Sequence, residues 1–215
     1  MEKTSALDGL FENWLEYYQK RGILTKGFSR DGIVDEDQFT KANRRILFVL
    51  RETNDFPESN EFRGDLRAFL SQTVKWQLWH TVGRWAYGIL NNFPTYRESD
   101  SHKSIRQGIR SVAIMNLKKI TGGSWSDLDE INATAHRDKE FIRMEADIID
   151  PQVIVACGTW GHLVWLFDLD DLPRQDKFSY TKGRLYLSTR HPVRADNQKT
   201  YNQLKELWFK VKDRG

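Results

Sequence analysis

Apolar positions along the chain fall into two alternating kinds of run. Leu7, Leu10, Phe11, Trp14, Leu15 and Tyr18 recur at helical spacing and predict an amphipathic helix over residues 7 to 20, ending before Gly22. Ile46-Leu47-Phe48-Val49-Leu50 is instead a short unbroken run, as expected of a strand buried on both faces of a parallel sheet. It stops at Arg51-Glu52-Thr53-Asn54-Asp55. Leu66, Phe69, Leu70, Val74, Leu78 and Val82 mark a helix running on through Trp85 towards Leu90. Residues 111–115 form a second strand leading into Asn116, and residues 132–149 a further helix stopped before Pro151. Residues 153–157 are the clearest buried strand, followed by the Gly158-Thr159-Trp160-Gly161 turn and a short apolar helix, Leu163 to Phe167. A last strand over 184–188 and a closing helix over 197–212 complete the pattern. This alternation predicts an α/β fold, a three-layer α/β/α sandwich around a central four-stranded parallel sheet.

Composition narrows the class. At 215 residues, 39% hydrophobic and 13% aromatic, the chain suits one globular domain, residues 1–215, with an N-terminal helical extension over residues 1–40. The net charge of +3 arises from 33 basic and 30 acidic residues, so an anionic partner has to be met by a local patch. A single cysteine, Cys157, excludes an internal disulfide and any cluster needing several thiolates from this chain. It also fits a reducing compartment. No apolar stretch approaches a membrane span, and the N-terminus lacks a signal-peptide core, so we expect a cytoplasmic protein with no membrane partner, and a monomer.

Candidate chemistry collects at the strand ends. In open α/β sheets ligands bind outside the carboxyl ends of the strands. Those ends supply Glu52 to Asp55, Asn116, Gly158 to Gly161, and His191 to Arg194. Pro192 pushes His191 towards an extended conformation, and Arg190 and Arg194 flank it with positive charge. Each has a plain structural alternative: loop acids for Glu52 and Asp55, a self-bonded loop amide for Asn116, helix–strand packing for Gly158. Their convergence on one edge argues for a site. His80, His102, His136 and His162 lack such a context and read as surface or core residues. Trp76, Trp79 and Trp85 read as core packing, with base stacking as the alternative. Lys118 and Lys119, and the basic stretch from Arg97 to Arg110, are candidate phosphate contacts, with a solvated face as the alternative.

From the first strand onward the motifs resemble the uracil-DNA glycosylase superfamily, most closely its iron–sulfur branch. Leu50-Arg51-Glu52-Thr53-Asn54 and Glu61-Phe62-Arg63-Gly64 stand where that branch has Gly-Glu-Ala-Pro-Gly and Pro-Phe-x-Gly. Met115-Asn116-Leu117-Lys118-Lys119 resembles its Thr-Asn-x-x-Lys strand end, and residues 151–158 its Pro-Lys-x-Ile-x-x-Leu-Gly strand. His191-Pro192, trailed by Lys199 and Leu204-Lys205, resembles its terminal motif. The resemblance implies a monofunctional DNA glycosylase that hydrolyses the N-glycosidic bond of a flipped-out uracil or modified pyrimidine, in repair or antiviral defence. By the same resemblance Phe62 stacks on the base and Asn116 reads its edge, with Arg51 and Gly158 lining the substrate site. His191 stabilises the departing base. Glu52, or with a shifted turn Asn54 or Asp55, positions the water. Arg190, Arg194, Lys118 and Lys119 contact DNA. Arg51 replaces the motif's glycine, and the cluster cysteines are missing, so no iron–sulfur cofactor is expected. The other reading is a binding module that keeps the fold without catalysis.

Overall fold

A computed structural model describes residues 2–54, 64–123, 125–169, 178–193 and 197–212. Among them the helices are α1 (Glu2–Lys20), α2 (Glu36–Lys41), α3 (Leu66–Gln72), α4 (Gln77–Leu90), α5 (Tyr96–Ser99), α6 (His102–Arg110), α7 (Leu128–Arg137), α8 (Lys139–Ile149), α9 (Trp160–Leu166) and α10 (Asn197–Val211). The strands are β1 (Gly32–Ile33), β2 (Ile46–Asn54), β3 (Ala113–Gly122), β4 (Val153–Cys157), β5 (Phe178–Thr181) and β6 (Arg184–Thr189).

The α/β class stands, but the sheet is mixed and six-stranded, in the order β1-β3-β2-β4-β6-β5. The four expected strands are its parallel centre, β3-β2-β4-β6, and β1 and β5 add an antiparallel strand at each edge. Both additions are short, two and four residues, too brief for an alternating pattern to announce them. Strand β2 also continues past Leu50 to Asn54, and β3 past Asn116 to Gly122. These extensions carry charged side chains, which hydrophobicity alone reads as loop.

Each face of the central sheet buries its own apolar layer. Ile46, Phe48 and Leu50, with Val153, Val155 and Leu187, meet α3, α4, α6 and α10 on one side. Leu47 and Val49, with Ile154, Ala156 and Tyr186, meet α1, α7, α8 and α9 on the other. Alternation along each strand sends successive side chains to opposite layers. The buried stripe of α1, including Leu7, Phe11, Trp14 and Tyr18, belongs to this second layer, and each such large apolar side chain contributes about 2–3 kcal/mol.

Two long helices expected from the pattern are each divided in two. Between α3 and α4 the chain is extended at Thr73 and again at Trp76. Between α7 and α8 it bends at Asp138, whose fully buried carboxylate accepts hydrogen bonds from the Tyr18 hydroxyl and Arg137. Anchoring that acid to α1 competes with a continuous helix. No helix among the described residues is long and apolar enough to cross a membrane.

Candidate functional site

The connection leaving β2 passes to α3 and α4 on one face, whereas β4 leads into α9 on the other. Neighbouring strands whose crossovers part in this way leave a crevice at their carboxyl ends, the usual ligand position in such sheets. Val49 pairs with Ala156, and Cys157 with Thr189, so Arg51, Gly158 and Arg190-His191 reach the edge at nearly one level.

The turn after β4 is built to receive His191. Gly158 has φ of +70°, and a side chain there would put its Cβ 3.1 Å from that of His191. Its N–H donates to Thr189 O at 2.9 Å, and the Thr159 hydroxyl donates to Val49 O at 2.9 Å, tying the turn to both neighbouring strands. Gly158, expected against substrate, therefore packs against the histidine. The half-buried His191 ring is pushed down to about 4, chiefly by desolvation and also by the Arg51 charge. It is neutral at pH 7. Its Nδ1 accepts the Val193 N–H at 3.4 Å, which leaves the ring proton on Nε2 as a donor.

On the α4 side lies a cavity of about 300 Å³. Glu52, Thr53 and Asn54 form one wall, Trp76 and Trp79 another, and Val193 a third. Trp76 stacks on Phe69 at 4.7 Å and 19°, which fixes its plane. Core packing was the favoured reading of these tryptophans in the sequence, with base stacking the alternative.

Several expected site residues are otherwise engaged. Asn116, expected to read a base edge, is only 1% exposed. Its side-chain amide donates to Asp31 Oδ2 at 3.0 Å and to Thr53 Oγ1 at 3.2 Å, and its backbone N–H to Asp31 at 2.7 Å. Both amide hydrogens are consumed, so it holds the sheet edge. Lys119, expected on phosphate, is fully buried between Asp31 and Glu145. Burial opposes its charge, but the two acids outweigh that and raise it. Its Nζ lies 2.7 Å from Glu145, a contact that is electrostatic because neither Glu145 oxygen has a directed hydrogen bond among the described residues. Burial, with Asp31 beside it, pushes the Glu145 carboxyl well up. Lys118 is likewise withdrawn from any phosphate, 2.9 Å from both Glu52 and Glu130. Burial works against its charge, and Glu130 and Glu52 together raise it.

Glu52 does face the cavity, yet its side chain is 2% exposed and held by Lys118. Gly122 leaves the space its carboxylate fills, since a Cβ there would fall 2.1 Å from Glu52 Oε2. Asn54, by contrast, is exposed at the strand end. Arg190 is exposed beside His191. Asp55, Phe62 and Arg194 lie outside the described residues.

Sequence reasoning missed Asp31, which organises Asn116 and Lys119 from the stretch between the first expected helix and the first expected strand. It also set aside His162, which α9 brings to the Arg51 side of the crevice. His162 is lowered by burial, by Arg51 and by His136, whose ring stacks on Trp165 at 3.9 Å. No group of acids, histidines and cysteine suited to a metal ion occurs among the described residues. A scan against protein-family models and a search of curated proteins each return no match for the chain.

Proposed function

We propose that the chain is a DNA glycosylase that hydrolyses the N-glycosidic bond of an extruded uracil or modified pyrimidine, leaving an abasic site, in repair or antiviral defence. The observation that carries this reading is a neutral His191 at the strand edge, its Nε2–H without an acceptor among the described residues. In the reaction the C1′–N bond breaks with its electron pair leaving on the base. Water bonds to C1′ and releases a proton, and the departing base is protonated in turn. A neutral donor held in place stabilises the oxyanion of that base without first having to be charged. The cavity that Val193, two residues after His191, helps to line supplies what an extruded base needs, an aromatic wall at Trp76 and Trp79 and a polar wall at Asn54. With Asn116 committed to Asp31, Asn54 becomes the better candidate for contacting the base or the water. Glu52 contributes its field, weakened by Lys118.

The test is release of abasic sites from single- and double-stranded oligonucleotides carrying uracil or a panel of modified pyrimidines. His191→Ala should lower the rate at least about 100-fold with folding intact. Asn54→Ala should lower it less. The engagement of Glu52 by Lys118 and of Asn116 by Asp31 favours one second reading, a nucleic-acid-binding module without catalysis. Tight DNA binding with no abasic product from any base would establish that module and sink the enzyme.

A further inference from the structure

The four buried cations among the described residues are each matched by acids. Lys119 has Asp31 and Glu145, Lys118 has Glu52 and Glu130, Arg67 has Asp8 and Asp65, and Arg84 has Asp100. Arg51 differs from them. It is half-buried at the crevice between β2 and β4, its Nε is sealed without a hydrogen-bond partner, and no carboxylate pairs with it among the described residues. On the same face His162 Nε2 is also buried without a partner. Strand alternation puts Arg51 in register with Leu47 and Val49, the layer that α9 covers through Leu163 and Leu166, so the guanidinium and the α9 imidazole belong to one side of the crevice.

We propose that Arg51 and His162, with His191 at the margin, bind an oxyanion of the phosphate type at the end of β2. A sealed guanidinium N–H and a sealed imidazole nitrogen without hydrogen-bond partners are costly, and such groups persist where a ligand completes them. A guanidinium fork beside imidazole N–H donors matches a tetrahedral oxyanion. The Arg51 charge now depresses both imidazoles, and an anion seated among them would relieve that effect. The same chemistry is offered by a phosphodiester of a nucleic acid strand and by free phosphate or a terminal phosphate. The site does not depend on base release, and Arg51 and His162 lie across β2 from the aromatic cavity.

Thermal unfolding is measured with inorganic phosphate against chloride at equal ionic strength, for the wild type, Arg51→Met and His162→Gln. Phosphate should raise the wild-type midpoint, with the increment lost in Arg51→Met and reduced in His162→Gln. Binding should weaken by at least about tenfold in Arg51→Met. Without phosphate Arg51→Met should be no less stable than the wild type, because an apolar side chain of similar length replaces an unmatched charge. Should Arg51→Met fail to fold, phosphate-dependent movement of the His162 and His191 imidazole resonances in the wild type, compared with His162→Gln, decides the matter. Equal stabilisation of all three proteins, or imidazole resonances that phosphate leaves in place, would overturn the site and leave a bound water as its occupant. Competition between phosphate and an unphosphorylated oligonucleotide identifies a strand phosphodiester as the source, and a preference for the 5′-phosphorylated oligonucleotide identifies a terminal phosphate. Phosphate binding without base release would remove the glycosylase reading and leave this one intact.

Discussion

Two neighbouring strands carry basic residues just beyond their apolar runs, and the protein treats them in opposite ways. In β3, Lys118 and Lys119 are each enclosed between two carboxylates. In β2, Arg51 stands near His162 and His191, and no acid pairs with it among the described residues. A local sequence of basic residues is the same signal in both places. The difference lies in residues far away in the chain, Asp31, Glu130 and Glu145, which neutralise one strand end and leave the other open. Matched charge belongs to the architecture of this sheet, and unmatched charge marks where a partner is missing.

The strongest way to break that comparison is to unmatch the matched side. Lys119→Met leaves Asp31 and Glu145 buried without their cation, which should cost about 3–5 kcal/mol in urea unfolding at neutral pH. DNA affinity per folded molecule should be unchanged. A loss below about 1 kcal/mol, or a selective loss of DNA binding, would show Lys119 to be a ligand contact after all.

A smaller effect is expected where the open side is held in shape. Gly158→Ala must place a side chain at φ of +70° and against His191, at a cost of about 1–2 kcal/mol. The cost should come with a displaced His191 signal in a heteronuclear NMR spectrum. An unchanged His191 environment would mean that the turn does not position the ring.

The four central strands were legible in the sequence because each is an unbroken apolar run buried on both faces. So was their alternation with helices, and so was the approach of the Gly158 and His191 strand ends to one edge, which follows from strand order in any such sheet. The edge strands were not legible, being too short to carry a period. Nor was the fate of Asn116 or Lys119. A strand-end amide or lysine reads the same whether it meets solvent or a buried aspartate, and Asp31 reaches both across more than eighty residues of chain. His162 was passed over for the converse reason: on a short apolar helix nothing local distinguishes a core imidazole from one facing an unmatched arginine.

The finest contrast is electrostatic and concerns His191 alone. Its folded-state value near 4 lies below the ordinary histidine value of about 6.5, so as pH falls the unfolded chain takes up the proton first. The histidine's contribution to stability is therefore complete above about pH 6.5 and is lost progressively as pH drops towards 4. An imidazole titration followed by NMR should give a midpoint near 4, and unfolding midpoints should fall between pH 7 and pH 5 by less in His191→Gln than in the wild type. Desolvation is the larger cause and Arg51 the smaller, so Arg51→Met should return the midpoint only part of the way to its ordinary value. A midpoint that is already ordinary in the wild type would mean that the ring is solvated and that Arg51 is neutralised by something else. The open strand end would then be as fully matched as its neighbour, and the contrast between them would disappear.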